Sequence, residues 1–369
     1  MPDLPSVVIT EEGMRDGMQI ESVRISLEDK LRLLDALSEA GLRRIVVGSF
    51  VSPKWTPQMA EIDALVQRMR PRPGVTYLAL ALNERGRERM RAHVPPLTID
   101  DRPPSLHAHL CDVFIKRNTN RTIEQERAAW PAIVERAVAA GRSTAMIGLS
   151  AAWGSNWRGA FSRELRLARL QEQVDVWQAA GLTVTDVLLA DPMGWNMPHW
   201  VAGDLRAIKA RWPDIRHFRL HLHNQRGMAL ASIYAALTTL GPQDTLYADS
   251  TIGGIGGCPY CGNGRAAGMA PTEDLVQMLE AMGIRTGADL DKLVEAAALA
   301  AGIIGRPLDG HVSGAGPLPD AAHLYPPDLP VVETHEQAQH FRLGMEVCEG
   351  MPRPWMDAPA ARSSSAPGA

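Results

Sequence analysis

Leu220-His221-Leu222-His223-Asn224 breaks an apolar run with three polar residues. In an extended strand side chains alternate between faces, so His221 and His223 project to one side while Leu222 points to the other. Two imidazoles one residue apart on one face suit a single cation. The plainer alternative is a strand end whose two histidines are hydrogen-bonded and inert. Other apolar runs also end in ligand-type residues: Glu11, Arg15 and Asp16 follow the first, Asp191 the sixth, and Asp249-Ser250-Thr251 close the eighth. One aspartate with two histidines is a borderline-to-hard ligand set, open to Mg²⁺, Mn²⁺, Co²⁺ or Zn²⁺. Three protein ligands leave positions for water and for a pair of substrate oxygens. Each residue has a blander reading too. Asp16 before Gly17 could be a turn residue, Arg15 a surface charge, Asp191 before Pro192 the start of a turn, and Glu11 a support behind a ligand.

The elements that must position these residues follow a regular rhythm. Strands are expected at 6–10, 44–48, 77–82, 106–113, 143–149, 185–190, 217–223 and 245–249. Helical periodicity fills 27–40, 56–69, 84–91, 122–140, 162–180, 199–211, 228–240, 272–282 and 289–301, with glycine stops at Gly41 and Gly141. A Pro-rich connector at 93–104 reads as a surface insertion. Eight strands each followed by a helix predict an α/β protein, a (β/α)8 TIM barrel, in which polar residues at the C-terminal strand ends face the site. A doubly wound dinucleotide domain would carry G-x-G-x-x-G after its first strand, and Glu12-Gly13-Met14-Arg15-Asp16-Gly17 is not that. The expected organisation is a barrel over 1–305, a helical extension covering one end over 306–350 with a helix at 333–349, and a disordered Pro/Ala/Ser tail over 351–369.

Bulk properties exclude several classes. The 369 residues are 45% apolar and 22% charged, as in a globular protein, and the net charge of −4 with mixed signs gives no footprint for nucleic acid. Apolar runs are too short for a membrane helix, and no basic-then-apolar leader opens the chain. Four cysteines make no disulfide framework, so a reducing cytoplasm is the expected location. Cys258 and Cys261 form one C-x-x-C in a glycine-rich loop. Structural zinc would want a second such pair, and a redox dithiol would usually open a helix.

Arg15-Asp16-Gly17-Met18-Gln19, Ser49-Phe-Val-Ser-Pro-Lys-Trp-Thr-Pro-Gln-Met59, His221-Leu-His-Asn224 and Gly256-Gly-Cys-Pro-Tyr260 together resemble the 3-hydroxy-3-methylglutaryl-CoA lyases. These belong to a superfamily of metal-dependent lyases and aldolases that includes the isopropylmalate synthases. The likeness runs from about residue 7 to 301. It implies Asp16, His221 and His223 as ligands of Mg²⁺ or Mn²⁺, with Arg15 stabilising charge on a carbonyl or enolate oxygen. It implies Gln19 lining the site, Asp191 close to substrate, and Cys258 on a mobile loop that closes over it. Seven glycines between Gly253 and Gly268 suit such mobility independently. Glu11 and Ser250 complete the expected substrate contacts.

His221 or an Asp191-linked water is the expected hydroxyl base and Cys258 the proton donor; a Cys258–Cys261 disulfide would switch the enzyme off. Lys116, Arg117 and Asn118 resemble a basic segment that could reach CoA phosphates, or are a solvated turn. The implied reaction is cleavage of a 3-hydroxy-3-methylglutaryl-CoA-like thioester by a homo-oligomer, expected to be a dimer. The alternatives are a condensing enzyme of 2-alkylmalate synthase type and a catalytically silent metal-binding barrel. Two positions depart from the family pattern: Val46 stands where an acidic residue is expected, and Met269 where an asparagine ligand is, with Asn263 nearby in a longer loop.

Overall fold

The computed structural model describes residues 4–100, 102–259, 261, 267–322 and 324. Strands β1 (Ser6–Glu11), β2 (Arg44–Ser49), β3 (Thr76–Leu80), β4 (Ala108–His109), β5 (Thr144–Ser150), β6 (Thr183–Asp191), β7 (His217–Leu222) and β8 (Thr245–Ser250) form one sheet. Its spatial order is β3-β2-β1-β8-β7-β6-β5-β4, and every neighbouring pair is parallel. β1 and β8 pair along six positions from Ser6–Thr245 to Glu11–Ser250, joining the first strand to the last. This is the (β/α)8 barrel. The ladder ends at β3 and at β4, and at β4 the Glu126 carboxylate accepts the His109 backbone N–H at 2.9 Å.

Alternation along each strand decides what faces where. Leu106, Ala108, Ile147, Leu149, Val187, Leu189, Phe218, Leu220, Leu246 and Ala248 point outward into a buried layer shared with the helices. The intervening residues face the barrel interior. Deep inside, Arg219 pairs with Asp186 at 3.1 Å and lies over the Tyr247 ring at 3.7 Å from its centroid. Nearer the C-terminal end, register places Thr10, Asp249, His221, Ala190, Ser150 and His109 in one inward layer, with Asp249 following the Ala248–Leu220 pair in phase with His221.

The helices depart from expectation where proline or a cap intervenes. β4 ends early because Cys111 caps a helix α4, Asp112–Thr119, accepting from the Phe114 N–H. The continuous helix expected at 122–140 is two pieces, α5 (Ile123–Ala128) and α6 (Trp130–Ala139), since Pro131 disfavours helical continuation at its N-terminal side. Residues 56–69 likewise divide into a 3₁₀ turn, Pro57–Met59, and a helix α2, Ile62–Arg68. The connector at 93–104 is not wholly superficial: Leu97 is buried in the second apolar layer and Thr98 N–H donates to Tyr77 O.

Compactness divides the chain into Met1–Gly314 and Ala315–Ala369. Within the first unit, Leu308 packs against Gly253 and Asp309 N–H donates to Gly253 O, so the first residues beyond 305 cover the loop after β8. The helix expected at 333–349 and the tail from 351 lie outside the described residues. No helix among the described residues is long and apolar enough to cross a membrane.

Candidate active site

β7 delivers His221 and His223 to the mouth of the barrel on one face. Two strands away, β1 leads into a single wide π turn, Gly13–Gly17, in which the amides of Arg15, Asp16 and Gly17 converge on the Glu12 carbonyl. Such turns offer side chains an aim that a regular helix would not. The ligand-type atoms of Asp16, His221 and His223 lie within 4.8 Å of one another, with His223 Nε2 at 3.7 Å from Asp16 Oδ2.

The hydrogen bonds leave the right atoms free. Asp16 Oδ1 accepts from Arg15 and from Gln19 Nε2, both at 2.8 Å, while Asp16 Oδ2 is buried without a partner. His221 Nδ1 meets Asp249 Oδ2 and His223 Nδ1 meets the Ala267 carbonyl, each at 2.8 Å. Both acceptors place the hydrogen on Nδ1 and leave each Nε2 lone pair available, the arrangement by which protein groups orient metal-binding imidazoles. A buried carboxylate oxygen with no donor, beside two bare ring nitrogens, fits a divalent cation. Burial opposes ionisation of Asp16, but His223, Arg15 and His221 outweigh it and hold its carboxyl below the usual range. Burial also disfavours the His221 cation, yet the Asp249 hydrogen bond and the charges of Asp249, Asp16 and Glu12 raise it to about 9. At His223 burial prevails and the ring is pushed down.

Arg15 stands beside this set, with Nη1 at 3.6 Å from Glu12 Oε2. Burial works against its charge, but Glu12, Asp16 and Asp249 hold it above the ordinary arginine value. Glu12 is a carboxylate that the sequence reading passed over in favour of Glu11. Alternation along β1 was the available signal: Val8, Thr10 and Glu12 are in phase and face inward. Burial raises Glu12 despite Arg15, and its Oε2 has no hydrogen-bond partner. Asp249, which holds His221, was visible at a strand end without an assigned role.

Asp191 ends β6 next to β7, fully buried. Its Oδ2 accepts from Asn196 N–H and Nδ2 at 2.6 and 2.8 Å, and its Oδ1 has no partner. Burial raises it, against the Asn196 bonds. Cys258, Cys261 and Cys111 are free thiols in a buried cluster with Phe114, Ala151 and Met193. Cys261 Sγ donates to Pro192 O at 3.0 Å, and its hydrogen bond with Cys258, with burial, pushes its thiol up. The loop bearing Cys258 packs closely on the turn bearing Asp16. Gly256 has φ +104°, and a Cβ there would stand 2.5 Å from Gly17 Cα.

Two expected substrate contacts are corrected. Glu11 faces away from the barrel interior: Oε1 accepts from Gly13 N–H at 2.7 Å and Ile252 N–H at 3.0 Å, and Oε2 accepts from Thr272 Oγ1. Ser250 Oγ meets the same threonine hydroxyl at 2.8 Å. Both are in phase with the outward-facing residues of their strands and serve as ties between loops. Asn224 also proves structural, its Oδ1 accepting Ala229 N–H at the start of helix α9, Ala229–Leu237. Val46 faces inward on β2 and Met269 is buried, bridged to His223 through the backbone. Asn263 lies outside the described residues. Lys116, Arg117 and Asn118 are exposed at the end of α4, with Arg117 over the Trp157 ring at 5.4 Å.

Comparison with known proteins agrees with this geometry. The HMGL-like family model matches residues 6–300. The mitochondrial hydroxymethylglutaryl-CoA lyase of Macaca fascicularis is 35% identical over 80% of this chain and 85% of its own. A 3-hydroxy-3-isohexenylglutaryl-CoA/hydroxymethylglutaryl-CoA lyase of Pseudomonas aeruginosa is 34% identical over 82% of this chain and 95% of its own. The HMG-CoA lyase of Acinetobacter baumannii, solved with coenzyme A and 3-methylmalate, superposes with a TM-score of 0.68 at 27% identity, covering 87% of this chain and 97% of that one. On the match across nearly the whole barrel, the chain belongs to the HMGL-like family.

Proposed function

We propose that the protein is a divalent-metal-dependent carbon–carbon lyase acting on a CoA thioester of a 3-hydroxy-3-carboxymethyl acid, releasing acetyl-CoA and a keto acid. The observation that carries this reading is the partnerless Asp16 Oδ2 beside two imidazoles whose Nδ1 atoms are already engaged, with Arg15 alongside. Asp16, His221 and His223 would hold Mg²⁺ or Mn²⁺, for which an oxygen-rich substrate completes the preferred ligands. When bound, such an ion lowers the pKa of a tertiary alcohol and polarises oxygens.

The remaining work falls to side chains. The hydroxyl proton must leave, the C2–C3 bond must break with its electron pair passing into the thioester enolate, and carbon 2 must gain a proton. Arg15 faces the charge growing on the thioester oxygen, an interaction worth about 3 kcal/mol. Glu12 steadies Arg15 from behind, and Asp191 or His221 orients the acceptor of the hydroxyl proton. Cys258 supplies the proton to carbon 2 from its thiol form. Cys258 is 9% exposed, so its loop must shift as substrate enters and leaves. Lys116 and Asn118 are suited to meet the CoA phosphates.

The test is metal analysis of the purified chain, then acetyl-CoA release from 3-hydroxy-3-methylglutaryl-CoA and homologues with and without Mg²⁺ or Mn²⁺. Turnover that vanishes on chelation and returns with either ion is expected. Bound metal with no cleavage of any thioester would sink the proposal.

A further inference from the structure

β4 and β5 turn a second set of polar side chains into the barrel. His107 Nε2 lies 2.9 Å from Ser150 Oγ. His109 Nδ1 lies 2.6 Å from Glu126 Oε1. A carboxylate only accepts, so His109 Nδ1 carries the hydrogen and Nε2 points the other way. His109 is 7% exposed, and its Nε2 is buried with no hydrogen-bond partner. A buried polar atom left unmatched costs about 1–3 kcal/mol and calls for an explanation. The His107 and His109 rings stand edge to face at 5.4 Å.

Gly148 makes this arrangement possible. It faces inward on β5 between Met146 and Ser150, and a Cβ there would lie 2.5 Å from His107 Nδ1. β5 thus gives up a side chain, and His107, just before β4, supplies an imidazole in its place. Register ties this wall to the candidate metal site: His109 pairs with Ser150, Ser150 with Ala190, and Ala190 with His221. With strands about 4.8 Å apart, Ser150 stands roughly 10 Å from His221 around the wall. Between them Ala190 offers only a methyl. A molecule bound at His221 that extends over Ala190 therefore meets Ser150, His107 and His109.

We propose that this wall recognises the branch on carbon 3 of the substrate, and that the branch ends in a hydrogen-bonding oxygen, a hydroxyl or a carboxylate, rather than in an alkyl group. The assignment rests on the lyase reading above. An alkyl branch would leave His109 Nε2 unmatched in the complex, whereas an oxygen satisfies it: a neutral ring takes a hydroxyl hydrogen, and a protonated ring donates to a carboxylate. Burial holds His107 down to about 4, so its ring is uncharged and hydrogen-bonds without drawing counter-ions into the site. Sites built around such groups reject analogues lacking the matching atom far more strongly than apolar pockets reject a missing methylene.

The experiment compares kcat/KM of the full, metal-loaded chain for 3-hydroxyglutaryl-CoA thioesters bearing methyl, propyl, hydroxymethyl or carboxyl on carbon 3. Calorimetric binding of the corresponding free acids is measured alongside. At least a tenfold preference for the hydroxymethyl or carboxyl branch over methyl is expected, and which of the two leads identifies the partner of His109. His107→Phe and His109→Ala should each bring that ratio close to one while leaving metal content unchanged. His109 also binds Glu126; if His109→Ala fails to fold, His107→Phe carries the comparison. Cleavage with an alkyl preference, or a polar preference untouched by His107→Phe, overturns this proposal and leaves the lyase reading standing. Polar-branched free acids bound preferentially with no thioester cleaved would do the reverse. Neither cleavage nor binding would remove both.

Discussion

At the scale of single residues, the proposed reading separates holding a cation from meeting a developing charge. Asp249 has no ligand role, yet its hydrogen bond to His221 Nδ1 fixes the tautomer that leaves Nε2 free. Asp249→Asn keeps the shape but offers an amide that can turn its donor toward the ring. We expect metal affinity to fall about 10–100-fold, the usual cost of losing such a support, read by titration with Mn²⁺. Unchanged affinity would mean the imidazole is held by packing alone. Arg15 makes the contrasting case, because it touches Asp16 through Oδ1 and leaves Oδ2 alone. Arg15→Lys retains a charge but not the planar guanidinium whose Nη1 lies between Glu12 and Asp16. Metal content should stay near one per chain, while kcat falls about 10²–10³-fold, the size of a lost oxyanion contact. A loss of metal in step with kcat would instead make Arg15 a buttress for Asp16.

At the scale of elements, the loop after β8 and the turn after β1 act as one unit because two glycines let their backbones touch. At Gly256, φ is +104° and a Cβ would lie 2.5 Å from Gly17 Cα and 2.8 Å from Asp16 O. Gly256→Ala therefore meets backbone rather than a movable side chain. We predict a loss of about 1–3 kcal/mol in stability, together with a fall in kcat larger than that in metal affinity, because the loop carrying Cys258 is lifted from its seat. Equal loss of both would place the damage at Asp16 itself. The sequence made much of this scale readable. Periodicity located eight strands and most helices, and period-two spacing put His221 and His223 on one face. What it hid depended on phase and on distant partners. Glu11 and Glu12 are adjacent acids, and only the register of β1 tells which enters the barrel. His107 and His109 look like ordinary polar residues of a weak strand until Gly148, some forty residues on, is seen to open a space beside them. Proline at 131 divided a helix that hydrophobic spacing alone reads as continuous.

At the scale of the whole molecule, Glu11 fastens the start of the barrel to its end. Its carboxylate joins the turn after β1, the loop after β8 and Thr272 at the head of helix α10, Thr272–Ala281, across sequence separations of 241 and 261 residues. This tie carries a pH signature. Burial raises Glu11 from 4.5 to about 7, against the hydrogen bonds from Thr272, Ile252 and Gly13. In the unfolded chain it returns to an ordinary carboxylate. Between those two values the folded state binds the additional proton, so stability falls as pH rises through that window. The contribution is fully present below pH 4.5 and gone above about 7. At about 1.4 kcal/mol per unit the change is of order 3 kcal/mol. Glu11→Gln cannot titrate, so the stability of the wild type minus that of the variant should decline by that amount over this range in denaturant titrations at fixed pH. A flat difference would mean Glu11 is ionised in both states and that the barrel is fastened by a charge. A difference rising with pH would reverse the sign and mean that the hydrogen bonds from Thr272, Ile252 and Gly13 outweigh burial.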